Sequence, residues 1–132
     1  MNHTKAVMYR RCSKWHPASS ACMAKQQRFC QAAAERLGVD LVDGFEDNAT
    51  GASVIDRPGL IGLLYQLEDD RDYECVVVAD WQRLSANDGD RATLLARFAQ
   101  AGVRVIAASD YADPSERAAA PVAGRQHRVK AR

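Results

Sequence analysis

The chain has 132 residues, 47% hydrophobic and 27% charged, with a formal net charge of +1, the composition of one globular domain around a single core. So even a balance excludes a protein that grips nucleic acid by bulk charge. No apolar run approaches the roughly 20 residues of a membrane span, and the N-terminus lacks the apolar stretch of a secretory signal. The four cysteines, Cys12, Cys22, Cys30 and Cys75, form no C-x-x-C pair and no zinc-ligand spacing, which predicts reduced thiols, no metal and a cytoplasmic location.

Residues 5–11 (KAVMYRR) read as a buried strand that carries Arg11, and two residues on Ser13, to its carboxyl end. Alternation puts these two on one face, so the Ser13 hydroxyl and the Arg11 guanidinium are expected to share a cleft. Residues 15–20 read as a loop broken by Pro17. A helix follows over about 21–37, capped by Ser19 or Ser20, with Phe29, Ala33 and Leu37 on its apolar face and Gly38 just past its end. Residues 39–45 form a second strand, and 46–56 (EDNATGASVID) a long loop of the kind that is mobile or functional. Pro58 opens the next helix, whose stripe is Leu60, Leu63, Leu64 and Leu67.

After an acidic turn, residues 74–79 (ECVVVA) predict a strand buried on both faces. Residues 81–90 read as a second long loop. A helix capped by Asp88 or Asp90 runs to Ala101 with Leu94, Leu95 and Phe98 inward, and 103–108 is the last strand. Beyond Tyr111 the pattern decays. This divides the chain into a domain over 1–110 and a basic tail over 111–132. The last nine residues carry Arg125, Arg128, Lys130 and Arg132 without an acid; they either touch phosphates or are a solvated end.

Strands separated by helices predict an α/β fold, a three-layer α/β/α sandwich on a mainly parallel sheet with flavodoxin-like topology. The loops after the first three strands then cluster on one edge, and Ser13, the loop from Asp47 to Arg57, and Arg83 fall within them. A serine nucleophile with several planar cations around it suits attack on a phosphate.

In this order the blocks resemble the catalytic domain of serine site-specific recombinases, the resolvase and invertase family, over roughly residues 6–108. Tyr9-Arg10-Arg11-Cys12-Ser13 resembles the nucleophile strand, and Gln26 followed by Cys30 the first helix. Asp47-Asn48-Ala49-Thr50-Gly51-Ala52-Ser53 with Asp56-Arg57-Pro58-Gly59-Leu60 resembles the loop before the second helix. Val76-Val77-Val78 through Arg83-Leu84-Ser85 resembles the third strand and its arginine loop. The resemblance implies Ser13 as nucleophile on a backbone phosphate of double-stranded DNA. It implies Arg11, Arg57 and Arg83 around that phosphate, and Gln26, Asp47 and Thr50 in support. It also implies dimers that pair into tetramers during strand exchange, with no cofactor, metal or ATP.

The loop after the third strand departs from the family pattern: Gln82 stands where the family has aspartate, and Ala86 where it has a second arginine. Arg91 would sit about 12 Å further along a helix than Arg83, too far to replace it. An impaired resolvase-like protein that only associates with DNA is therefore an alternative. A flavodoxin-like ligand-binding module predicts a glycine-rich first loop, and residues 13–20 contain no glycine. A serine hydrolase predicts G-x-S-x-G, also missing from the sequence.

Overall fold

In the computed structural model, residues 4–12, 19–48, 57–69, 73–85 and 87–111 are described. Four strands, β1 (Thr4–Cys12), β2 (Val39–Asn48), β3 (Cys75–Val78) and β4 (Arg104–Ala107), form one sheet in the order β2-β1-β3-β4. Every pairing is parallel. Helices α1 (Ser19–Leu37), α2 (Pro58–Asp69) and α4 (Asp88–Gln100) make the crossovers, and a single turn, α3 (Trp81–Leu84), follows β3.

Alternation along the strands divides the core in two. Val7, Tyr9, Val76, Val78, Val105 and Ala107 point to one face and pack with Leu60, Leu63, Leu64 and Leu67 of α2 and with Leu94 and Phe98 of α4. Ala6, Met8, Cys75, Val77 and Ile106 point to the other, where Cys30 and Leu37 of α1 cover them. Right-handed crossovers require this: the chain leaves β1 toward β2 and returns toward β3 and β4, so the helices fall on opposite faces. The expected three-layer α/β/α sandwich is the observed fold, with the sheet wholly parallel. No described helix is long and apolar enough to cross a membrane.

β2 departs from expectation in a way that shapes the site. Its pairing with β1 slips between Ala6/Val7, so that Ala6 faces Leu41 but Val7 faces Asp43. Val42 is the extra residue, half exposed at 51%. A bulge of one residue turns all later side chains to the opposite face. Val39 and Leu41 accordingly pack on the α1 side, whereas Phe45 packs on the α2 side and Asp43 Oδ2 accepts from Tyr73 OH there. The strand also runs to Asn48 rather than stopping at Phe45, so Asp47 lies beside Arg11 in the ladder instead of in a loop.

Three smaller expectations are corrected. Phe29 does not belong to the inward face of α1: it is 40% exposed, under the Lys25 ammonium at 5.8 Å from the ring centroid. The inward face is Met23, Gln26, Cys30, Ala33 and Ala34. Residues 81–90 are not a continuous loop, since Asp80 caps α3 by accepting from Arg83 N. The cap of α4 is Asn87, which accepts from Asp90 N, while Asp88 and Asp90 lie in the first turn and favour its positive end. The tail from residue 112 onward lies outside the described residues.

Candidate active site

The chain reverses direction across the sheet between β1 and β3, and ligands in open parallel sheets bind outside the carboxyl ends of strands at such a point. The tip of β1 is built there by side chains from every neighbouring element. Gln26 reaches from α1 and pairs with the Arg11 backbone twice, accepting from Arg11 N at 3.1 Å and donating to Arg11 O at 3.0 Å. A buried amide matched donor to acceptor with a strand end fixes that strand as a neighbouring strand would. Arg83, from α3, donates through Nη1 to the same Arg11 carbonyl at 3.3 Å. Its Nε lies 3.7 Å from Asp80 Oδ2.

Asp47 is buried and ties three groups together. It accepts from Tyr9 OH at 2.7 Å, from Gly59 N at 2.7 Å and from Leu60 N at 2.9 Å. The last two are among the first free N–H groups of α2, so a carboxylate on β2 caps that helix from a distance and meets its positive end. Burial and the Asp47 carboxylate hold the Tyr9 hydroxyl far above its ordinary pKa, so it remains a donor. Gly59 permits the approach: a Cβ there would fall 2.2 Å from Glu46 O and 3.0 Å from Asp47 Oδ1.

Arg57 immediately precedes α2 and is fully buried at 0% exposure. Nη1 donates to Leu84 O at 2.6 Å. Among the described residues Nε and Nη2, both buried, find no hydrogen-bond partner, and Arg57 has no ion pair. An arginine so placed carries a large desolvation cost that its surroundings leave only partly offset. Two of the guanidinium groups act on the third: burial first, then the charge of Arg57 and more weakly that of Arg83, lower the pKa of Arg11. Arg11, Arg57, Arg83, Gln26 and Asp47 thus come together at one edge. Ser13 and Thr50 lie outside the described residues.

Gln82 is exposed and Ala86 lies outside the described residues. Arg91 turns back toward the α3–α4 connection instead of pointing along the helix, and donates to Ser85 O at 3.2 Å. Because Ser85 is extended (φ −165°, ψ 137°), the Leu84 and Ser85 carbonyls point to opposite sides. Arg57 and Arg91 therefore grip this segment from opposite sides, and Arg91 braces it without joining the cluster. Sequence reasoning missed two members of the site. Tyr9 carries a signal, being two residues before Arg11 on the same face; Asp80 carries another, as a capping residue three before Arg83.

The chain matches the family described as Resolvase, N terminal domain, over residues 6–127. Among curated proteins there is no match. Among solved structures it is similar to the N-terminal catalytic domain of TP901-1 integrase, with 21% identity, a TM-score of 0.73, and 97% of this chain and 91% of that one covered. It is also similar to a resolvase family site-specific recombinase from Streptococcus pneumoniae, with 21% identity, a TM-score of 0.70 and coverages of 86% and 77%. A third is the C-terminal catalytic domain of ISC1926 TnpA, an IS607-like serine recombinase, with 23% identity, a TM-score of 0.67 and coverages of 79% and 68%. At these identities the likeness is one of fold.

Proposed function

The chain belongs to the resolvase family, and from that membership we propose that it is the catalytic domain of a DNA site-specific recombinase whose nucleophile is Ser13. The Ser13 oxygen attacks a backbone phosphorus of double-stranded DNA, a 5′-phosphoserine ester forms, and the 3′ oxygen leaves, taking up the proton the serine gives away. Because one phosphate ester replaces another, the reverse step reseals strands without ATP, metal or cofactor. Cleaving and exchanging two duplexes calls for a dimer that pairs into a tetramer on DNA. The protein works in the cytoplasm.

The observation that carries this reading is Arg57. A fully buried guanidinium with two nitrogens that find no acceptor among the described residues, grouped with Arg11 and Arg83, is poorly placed for stability and well placed for an anion. Phosphoryl transfer asks mainly for positioning and for charge at the equatorial oxygens, and planar arginine forks supply both. Gln26 and Asp47 hold the strand and the helix that carry Arg11 and Arg57. Thr50 completes the support.

A second reading, a resolvase-like protein with impaired cleavage, is favoured by the exposed Gln82 and by Arg91, which is engaged with Ser85 O and Asp88. One experiment separates the two. The chain is fused to a heterologous DNA-binding domain and a dimerising helix, incubated with supercoiled DNA and denatured, and covalent protein–DNA adduct is measured. An adduct lost in Ser13→Ala supports the recombinase. An adduct seen only after Gln82→Asp with Ala86→Arg supports the impaired form, and no adduct in either form rules out Ser13 as nucleophile.

A further inference from the structure

Two thiols flank the glutamine that clamps β1. Gln26 Nε2 lies 3.2 Å from Cys22 Sγ and 3.7 Å from Cys12 Sγ while donating to Arg11 O. Cys12 is the last residue of β1, on the α1 side, and is buried; Cys22 lies in the opening turns of α1 and is half-buried. The two sulfurs thus meet the same side-chain nitrogen.

We propose that Cys22 and Cys12 form an oxidative modification site, in which a hydroperoxide oxidises Cys22 and Cys12 closes a disulfide across Gln26. The Cys22 thiolate attacks a peroxide oxygen, an S–O bond forms as the O–O bond breaks, and water leaves after taking a proton. The Cys12 sulfur then displaces hydroxide from the sulfenic acid; the S–S bond forms, and the Cys12 proton leaves with that hydroxide as a second water. Two thiols and one hydrogen peroxide give one disulfide and two waters.

The surroundings assign the order of these steps. Partial burial opposes ionisation of Cys22, but hydrogen bonds from Cys12 and Gln26 and the charges of Arg83 and Lys25 outweigh it, so its pKa falls. Burial and the hydrogen bond to Cys22 push Cys12 up to about 11. An accessible, low-pKa thiol beside a protonated partner is the arrangement that oxidises first and is then resolved. The remaining cysteines are internal controls. Cys30 is fully buried, faces Val77 O and is pushed by burial up to about 12; Cys75 is also fully buried. Because Cys12 precedes Ser13, the disulfide ties the residue next to the proposed nucleophile to α1. That consequence rests on the recombinase reading, whereas the chemistry does not.

The test treats the 132-residue chain with hydrogen peroxide, alkylates remaining thiols and digests with trypsin, which places the four cysteines on separate peptides. The expected product joins Cys12-Ser13-Lys14 to the peptide of residues 15–25, two hydrogens lighter than their sum. It forms before Cys30 or Cys75 is lost and disappears with dithiothreitol. In Cys12→Ser the linked product is absent and Cys22 is captured as a sulfenic acid by dimedone. Oxidation of Cys22 at the rate of Cys30 and Cys75, a link to Cys30 instead, or irreversible over-oxidation of Cys22 in the wild type overturns the site. Neither readout involves DNA, so its failure and that of the cleavage reading are distinguishable.

Discussion

The two sides of the β1 tip treat neighbouring arginines in opposite ways. On the α1 side Arg10 is held through both terminal nitrogens, by Gln27 Oε1 at 3.1 Å and by an ion pair with Glu46, and its side chain keeps 17% exposure. On the α2 side Arg57 is completely buried and, among the described residues, bonded through one nitrogen to a neutral carbonyl, with Asp47 committed to Tyr9 and the start of α2. The first arrangement is what a fold does with a cation it needs for structure. The second costs stability, and such strain against folding is characteristic of a site kept for a ligand.

The largest test of this contrast removes the carboxylate on the α2 side. Asp47→Ala leaves Tyr9 OH and the Gly59 and Leu60 N–H groups without their acceptor, in a cluster that also buries Arg57; a loss of about 4 kcal/mol in urea unfolding is expected, followed by circular dichroism. Next is Gly59→Ala, whose Cβ meets Glu46 O and C at 2.2 and 2.8 Å. Backbone must move at both β2 and α2, with a loss of about 3 kcal/mol in urea unfolding; a loss near zero would show that the two do not meet so closely. Tyr9→Phe removes one buried donor to Asp47 and is expected to lower stability by about 1 kcal/mol.

The smallest effect concerns the α1 face and alkali. Cys30 has a folded pKa of about 12 against an ordinary 9.0, so the unfolded chain releases its proton first. Its contribution to stability is complete below pH 9 and is lost as the pH climbs toward 12. Urea midpoints measured across that range should fall, and Cys30→Ala should fall less steeply while being slightly less stable at neutral pH. Equal slopes would mean that Cys30 is not shielded as described.

The fold was legible where one physical signal dominated. Val76, Val77 and Val78 can only be a strand buried on both faces, and the Leu60–Leu67 stripe can only be an inward helix face. Phe29 misled because hydrophobicity was read without the competing polar residue: Gln26, two buried hydrogen bonds from the β1 backbone, takes the inward place, and the ring turns out toward Lys25. The bulge at Val42 was invisible because one extra residue alters no composition and no periodicity long enough to notice; it shows only in pairing with β1. Arg11, Arg57 and Arg83 were legible as a group because topology gathers the strand ends. The depth of Arg57, the capping duty of Asp47 and the back-turn of Arg91 depend on contacts between distant segments. Ser13, Thr50 and Ala86 lie outside the described residues, and their parts remain as proposed.

The most direct measurement compares Arg57→Lys with Arg10→Lys in the DNA-adduct assay, with melting temperatures recorded alongside. Lysine keeps the charge but loses the planar fork. Arg57→Lys is predicted to lower adduct formation about 100-fold or more while remaining folded, and Arg10→Lys to leave it unchanged. Equal losses in the two variants, or an Arg57→Lys protein that forms adduct normally, would contradict the assignment of the buried arginines to the scissile phosphate.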